Sequence, residues 1–400
     1  MSNLENYMKQ QAIFCEQNDS ISKNLYSEYG VKRGLRDEKG QGVLTGLTNI
    51  SDIKAFEYRD GVKSPCDGEL SYRGYNIKDL VTGSKGKRFV FEEGAYLLLF
   101  GELPTDTQLM EFQGRLSDCM ELPTNFTRDV IMKAPTSDIM GSMTRSILTL
   151  GSYDKEKESL EISNVLRQSM QLIAVFPMLA VYAYHAYCHY EKNESMYIHR
   201  PEKDLSIAEN FLRLLRPDTK FTELEARVLD IALLLHMEHG GGNNSTFTTR
   251  VVTSSGSDTY SVISAAMSSL KGKKHGGANL MVMNMMDDIK SHVKDYEDEE
   301  EIASYLSKIL KKEAFDQKGL IYGMGHAVYS ISDPRERVFK GFVEQLARDK
   351  GREKDMTLYN NIEKIAPKLI AKQRQIFKGV SPNIDLSLIH ISEPTRPISI

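Results

Sequence analysis

Three of the nine histidines in this 400-residue chain stand beside glycines, in settings where an imidazole can do acid–base work. His275 lies in KGKKHGGAN (271–279), His326 in GMGHAVYSISDPR (323–335), and His239 closes HMEH just before the glycines at 240–242. Small neighbours let backbone and ligand approach such a ring closely. The run from 278 onward has helical periodicity, so His275 sits at the mouth of a helix N-terminus, where unpaired N–H groups carry partial positive charge. That field disfavours an imidazolium and predicts a neutral ring that can donate to a developing oxyanion. His236 and His239 fall in the last turn of a helix read over 223–239, where a protonated ring is favoured and can hold an anion. Arg335 follows the helix-opening pair Asp333-Pro334 and offers a planar fork for a carboxylate. With Asp385 in SPNID, the set points to acid–base chemistry on a small polycarboxylate.

Each residue also has a plainer reading. His236 fits a satisfied core histidine, and a loop histidine or a solvated arginine requires no function. The spacing of His236 and His239 matches no zinc-protease motif, so no metal is expected. GGGNNS (240–245) is neither a phosphate loop nor a dinucleotide fingerprint. Net charge is −4, with Lys and Arg spread along the chain, which excludes charge steering of nucleic acid. Cys15, Cys66, Cys119 and Cys188 lie far apart, as in a reduced, cytoplasmic protein. The N-terminus has no apolar signal region, and the longest apolar run (172–183) holds Pro177 and is too short to span a bilayer. No membrane partner is expected.

The elements that must position these side chains are helices. Periodicity predicts them over 91–100, 105–120, 138–150, 164–190, 205–215, 223–239, 258–270, 278–291, 299–312, 334–350 and 357–376. Thr222 with Glu225 forms a capping box that starts the helix at 223. Strand signals are confined to 42–50 and 69–72. The fold class is mostly α.

At these motifs the chain resembles the citrate synthase family. The matching segments are YRGYNIKDL (72–80), FEEGAYLLLFGELPT (91–105), HMEHGGGNNST (236–246), KGKKHGGAN (271–279), GMGHAVYSISDPR (323–335) and SPNID (381–385), in the family's order. The resemblance implies a two-domain helical homodimer whose smaller domain closes over oxaloacetate and acetyl-CoA. It places an N-terminal segment at 1–40, the first part of a large domain at 41–276, a small domain at 277–381, and a return to the large domain from 382. By the same resemblance, His275 and Asp385 form the enol(ate) of acetyl-CoA, and His326 polarises the oxaloacetate ketone. His239, Asn243 and Arg335 hold oxaloacetate, while Leu320, Ile321, Tyr322 and Gly323, with Lys273 and Lys274, hold CoA. Acetyl-CoA is then a cosubstrate, with no permanently bound cofactor. A 2-methylcitrate synthase using propionyl-CoA is the neighbouring expectation.

The chain departs from the family after Asp385. There LSLIHISEPTRPISI (386–400) shows neither the family's pattern nor helical periodicity, and resembles translated sequencing adapter joined to a truncated reading frame. Residues 386–400 are therefore expected to stay outside the helical core, and the chain as written to be an inactive or weakly active fragment.

Overall fold

The computed structural model describes residues 3–17, 22–32, 34–35, 46–272, 275–326, 328–374 and 380–386. Residues 1–46 form one compact unit and 47–400 another. Within the first, the described helices are α1 (Asn3–Gln17) and α2 (Lys23–Glu28), the latter capped by the Ser22 side chain. The second opens with strands β1 (Ser51–Arg59), β2 (Val62–Tyr72) and β3 (Tyr75–Asn76). Helices follow: α3 (Ile77–Gly83), α4 (Val90–Phe100), α5 (Asp106–Asp118), α6 (Ile139–Gly151), α7 (Ile162–Lys192), α8 (Ile207–Leu215), α9 (Glu223–His236), α10 (Asn244–Ser254), α11 (Thr259–Leu270), α12 (Ala278–His292), α13 (Glu299–Leu310), α14 (Pro334–Asp349) and α15 (Glu353–Arg374). A one-turn π-helix lies at Thr127–Ile131.

β1 begins later than the expected 42–50, and β2 begins earlier and runs longer than the expected 69–72. β1 and β2 pair antiparallel from Ser51↔Tyr72 outward, with a slip in register between Lys54 and Phe56. Asp60 and Gly61 join them with φ of 52° and 78°, a two-residue turn in the left-handed region that Asp-Gly favours. Residues 46–50 are irregular, and 42–45 lie outside the described residues.

Among the described residues, two large cores and a smaller cluster of Ala95, Phe112, Leu116 and Ala174 fill the second unit. One large core joins α3, α4 and α9 to α12–α15, with Val228, Ile231, Leu234 and Leu235 of α9 all buried in it. Each such side chain contributes ~1.5–3 kcal/mol by leaving water. Leu386 belongs to this core and is fully buried, so the expectation that 386–400 stays outside fails at its first residue. Residues 387–400 lie outside the described residues. The other large core packs α6, α7, α8 and α11 around the π-turn. α7 runs unbroken through Pro177 for 31 residues. By length and composition it is able to cross a membrane, contrary to the short apolar run read from the sequence, and half of its apolar window is buried within the protein.

Helix ends inside the first core are capped by side chains from neighbouring helices. Asp230 of α9 accepts the N–H groups of Val90 and Phe91 at the start of α4, both at 2.9 Å. Glu92 of α4 accepts the Ile207 N–H of α8 at 2.8 Å through one oxygen, and its other oxygen has no partner. Burial, reinforced by the Asp230 charge, pushes the Glu92 carboxyl up to about 8. A carboxyl that holds its proton when folded and loses it when unfolded stabilises the fold below its unfolded value. That stability drains as pH rises toward 8. Glu92→Gln, neutral at every pH, should therefore match the unsubstituted chain near pH 4.5 and exceed it increasingly above, by up to ~1.4 kcal/mol per pH unit. Thermal unfolding at pH 5 and pH 8 checks this; a stability difference independent of pH would show that Glu92 is ionised in the core.

Candidate active site

Three backbone segments converge to build the site. The first follows α9. The helix ends at His236, three residues earlier than its periodicity predicts, and His236 Nδ1 bonds the Ala232 carbonyl at 2.6 Å. His239 lies beyond the helix and turns its Nε2 to the Tyr329 hydroxyl at 3.1 Å. The two rings thus serve different partners and share no ligand. Among the described residues, no group of three or more His, Cys, Asp or Glu side chains is placed to hold a metal.

The second segment is the loop before α14. Asp333 caps that helix through the Arg335 N–H at 3.0 Å and holds the Arg335 guanidinium by two further bonds, Nε at 3.1 Å and NH2 at 2.8 Å. Both members of this ion pair are buried. His326 Nδ1 accepts the backbone N–H groups of Val328 (3.0 Å) and Tyr329 (3.2 Å). A neutral ring with Nδ1 accepting carries its proton on Nε2. That Nε2–H meets Arg335 NH2 at 3.5 Å. With Nδ1 accepting, both are donors, and the two N–H groups stand side by side.

The third segment is 381–386. Gly325 N–H bonds the Ser381 carbonyl at 2.8 Å, and Asn383 N–H bonds the Gly323 carbonyl at 3.0 Å. The Asn383 side chain donates to the Gly325 carbonyl at 2.9 Å and accepts the Asp385 N–H at 3.0 Å. This short antiparallel bridge sets Asp385 beside the loop of His326. Gly323 permits it: its φ is +81°, and an added Cβ would stand 3.1 Å from Leu386 Cβ.

Electrostatics follow from burial around one charged pair. Burial drives His326 down to about 4, with Asp333 opposing and Arg335 assisting. Burial, then Arg335 and His326, drives His239 down to about 3. His239 is therefore neutral, and the expected protonated ring at a helix C-terminus is overturned because the helix stops short and the ring is desolvated. Burial raises the Asp385 carboxyl, against the Arg335 charge.

His275 and Asn243 form a separate group. His275 Nε2 lies 3.1 Å from Ser245 Oγ, which is also 2.9 Å from Asn243 Oδ1. His275 is held below its usual value, as the helix-field argument expected, but by burial. Asn243 caps α10 through the Thr246 N–H and donates to the Gly240 carbonyl at 3.2 Å. Of the residues expected at CoA, Leu320 is exposed, Ile321 is buried in the core, and Tyr322 donates its hydroxyl proton to Asp316 at 2.6 Å. Lys273 and Lys274 lie outside the described residues. The sequence reading passed over Ser245, Tyr329 and Asn383, and took Asp333 only as a helix cap. All four lie inside the motifs quoted above, and three are uncharged residues that charge-centred reading does not single out.

A sequence profile of the citrate synthase C-terminal domain matches residues 37–393. The 2-methylcitrate synthase of Shewanella oneidensis is 34% identical over 309 residues, 77% of this chain and 74% of its own length. The citrate synthase of a Synechocystis species is 32% identical over 345 residues, 85% of this chain and 77% of its own. Among solved structures, the citrate synthase of Pyrobaculum aerophilum matches with a TM-score of 0.71 at 27% identity, covering 92% of this chain and 86% of that one.

The depressed histidines make a pH prediction. A ring whose folded value lies below its unfolded one stabilises the fold above about 6.5, and that stability is lost as pH falls toward 4. At pH 5.5, 15N spectra of histidine-labelled protein should show His239 and His326 neutral, with His326 protonated on Nε2. Imidazolium signals from either ring at that pH would overturn the assignment.

Proposed function

The chain belongs to the citrate synthase family, whose members condense an acyl-CoA with oxaloacetate, and we propose that it converts acetyl-CoA, oxaloacetate and water to citrate and CoA. The supporting observation is the donor pair of His326 Nε2–H and Arg335 NH2, 3.5 Å apart. A ketone oxygen seated against them accepts from both, which polarises the carbonyl. The guanidinium N–H groups that Asp333 leaves unused bind a carboxylate of oxaloacetate, with His239 and Asn243 completing the pocket.

Asp385 then removes a methyl proton from acetyl-CoA. The raised affinity of its carboxyl for protons makes it a stronger base than a solvated aspartate. Negative charge moves to the thioester oxygen, where a neutral His275 donates an N–H. Ser245 gives its hydroxyl proton to Asn243 Oδ1, and its oxygen accepts from His275 Nε2–H before substrate arrives. The enol(ate) carbon attacks the oxaloacetate ketone, His326 donates to the resulting alkoxide, and water hydrolyses citryl-CoA. Each donor is fixed before charge develops, so little reorganisation is needed during reaction. Leu320–Gly323 is the stretch assigned to CoA in this reading, which needs no metal or redox group.

We place the reaction in the cytoplasm, in keeping with four free cysteines, and in the tricarboxylic acid cycle. A homodimer is supported by Phe247 and Val251, exposed one turn apart on α10, a helix with no buried residue. Closure of 277–381 over 41–276 would exclude water from the thioester. The 34% identity to a 2-methylcitrate synthase favours propionyl-CoA as the second reading for the acyl donor.

Thiol release measured with oxaloacetate and each thioester separates the two donors, and faster turnover of propionyl-CoA would overturn the first reading. Relative to the unsubstituted chain, His275→Ala should lower turnover on the order of 10²–10³-fold while oxaloacetate affinity is retained. Asp385→Asn should abolish deuterium exchange of the acetyl-CoA methyl group, followed by NMR with an unreactive oxaloacetate analogue. Exchange that persists in Asp385→Asn would assign the base elsewhere.

A further inference from the structure

Tyr329 lies between the two histidines assigned to oxaloacetate and touches both. Its N–H donates to His326 Nδ1 at 3.2 Å, and its ring sits 4.8 Å from the His326 ring, tilted by 32°. Its hydroxyl meets His239 Nε2 at 3.1 Å, with the rings edge-on at 5.4 Å. In the Nδ1–H tautomer, His239 takes the tyrosine proton on Nε2. Tyr329 is 2% exposed, which leaves its hydroxyl no water to bond instead.

The ring is in turn held from the sheet side. Gly68 of β2 runs so close that an added Cβ would stand 2.7 and 2.8 Å from two Tyr329 ring carbons and 2.3 Å from the Ser332 carbonyl oxygen. Gly68 N–H donates to Ser332 Oγ at 3.2 Å, and Ser332 Oγ donates to Asp67 at 3.0 Å. Asp67 also pairs with Arg337 of α14 at 3.1 Å. The strand thus grips the 329–332 loop by hydrogen bonds and by contact, and only glycine fits where it passes the ring.

We propose that Tyr329 is a positioning residue that fixes the tautomer and plane of His239 and the orientation of His326 for oxaloacetate, and that Gly68 of β2 sets where Tyr329 stands. The proposal rests on the oxaloacetate reading of the site, but its first test does not. One proton and one contact divide the work. The hydroxyl sets His239, while the ring and N–H set His326.

Tyr329→Phe keeps the ring and removes the hydroxyl. In 15N spectra of the histidine-labelled 400-residue chain, it should abolish the single-tautomer signature of His239 and leave that of His326 in place, with the thermal midpoint nearly unchanged. Oxaloacetate affinity, measured by calorimetry, should weaken on the order of tenfold, about the effect of one lost hydrogen bond. Gly68→Ala should disturb both histidine signals and, through displacement of the loop by ~1 Å, cut turnover on the order of 100-fold. A His239 signature unchanged in Tyr329→Phe overturns the positioning role, whatever the affinity does. Failure of the unsubstituted chain to bind oxaloacetate overturns the proposed function instead, and the spectra still decide the role of Tyr329.

Discussion

Asp333 and Arg335 leave water together, and after burial theirs are the charges that shift the protonation of His239, His326 and Asp385. An isolated buried guanidinium would cost several kcal/mol, and the two-pronged contact with a carboxylate two residues away offsets that cost. The pair does not cancel at short range. At His239 Arg335 outweighs Asp333 and adds to burial in keeping the ring neutral; at His326 Asp333 outweighs Arg335 and opposes burial; at Asp385 Arg335 opposes the rise that burial causes. The same Asp333 caps α14 through the Arg335 N–H, so the geometry of the charge and the start of the helix are one constraint. Moving either residue would change the fold of the loop and the charge state of its neighbours together.

That constraint is useful only because three segments far apart in sequence are tied to a common frame. β1 reaches the loop after α9, where Ser51 donates to Glu238 and accepts the Gly240 N–H, both at 3.0 Å. β2 reaches the loop before α14 through Gly68, and Tyr72 donates to the Leu234 carbonyl at 3.0 Å. The bridge between 323–325 and 381–383 adds Asp385. Most of these links are backbone bonds or short neutral side chains. They cost little desolvation when buried and pay less entropy than long charged groups would.

Much of this was legible in the sequence, and the failures have physical causes. Capping boxes and apolar stripes gave most helices within a few residues, as at Thr222–Glu225 of α9. α10 was missed because NSTFTTRVVTS is rich in β-branched and hydroxyl residues, poor helix formers with no apolar stripe; its Asn243 cap and packing on α11 override that preference. β1 was missed although Asp60-Gly61 carries the strongest short hairpin signal, since the flanking strand mixes charged and apolar residues. The site histidines were found by their glycines. The direction at His275 was expected, but the charge state of His239 was misread, because it was judged by a helix end that its own ring lies beyond. Desolvation depends on what packs around a ring, and no local spacing encodes that.

The proton inventory narrows what this arrangement can do. His326 Nε2–H and the Arg335 N–H groups beyond those held by Asp333 are donors standing side by side. Asp385 is set beside the His326 loop by the bridge to 381–383, and burial raises its affinity for a proton. A site that presents fixed neutral and cationic donors on one side and a desolvated carboxylate on the other favours a reaction in which a proton leaves carbon while charge appears on oxygen. A metal ion would find few lone pairs there, and a phosphoryl group would meet one arginine but also an opposing carboxylate. An oxo-acid fits the donors, with its carboxylate on the arginine and its ketone against the imidazole. On the proposed reading, the second substrate brings a carbon acid for the carboxylate, and a thioester methyl group whose oxygen leans on His275 meets that requirement.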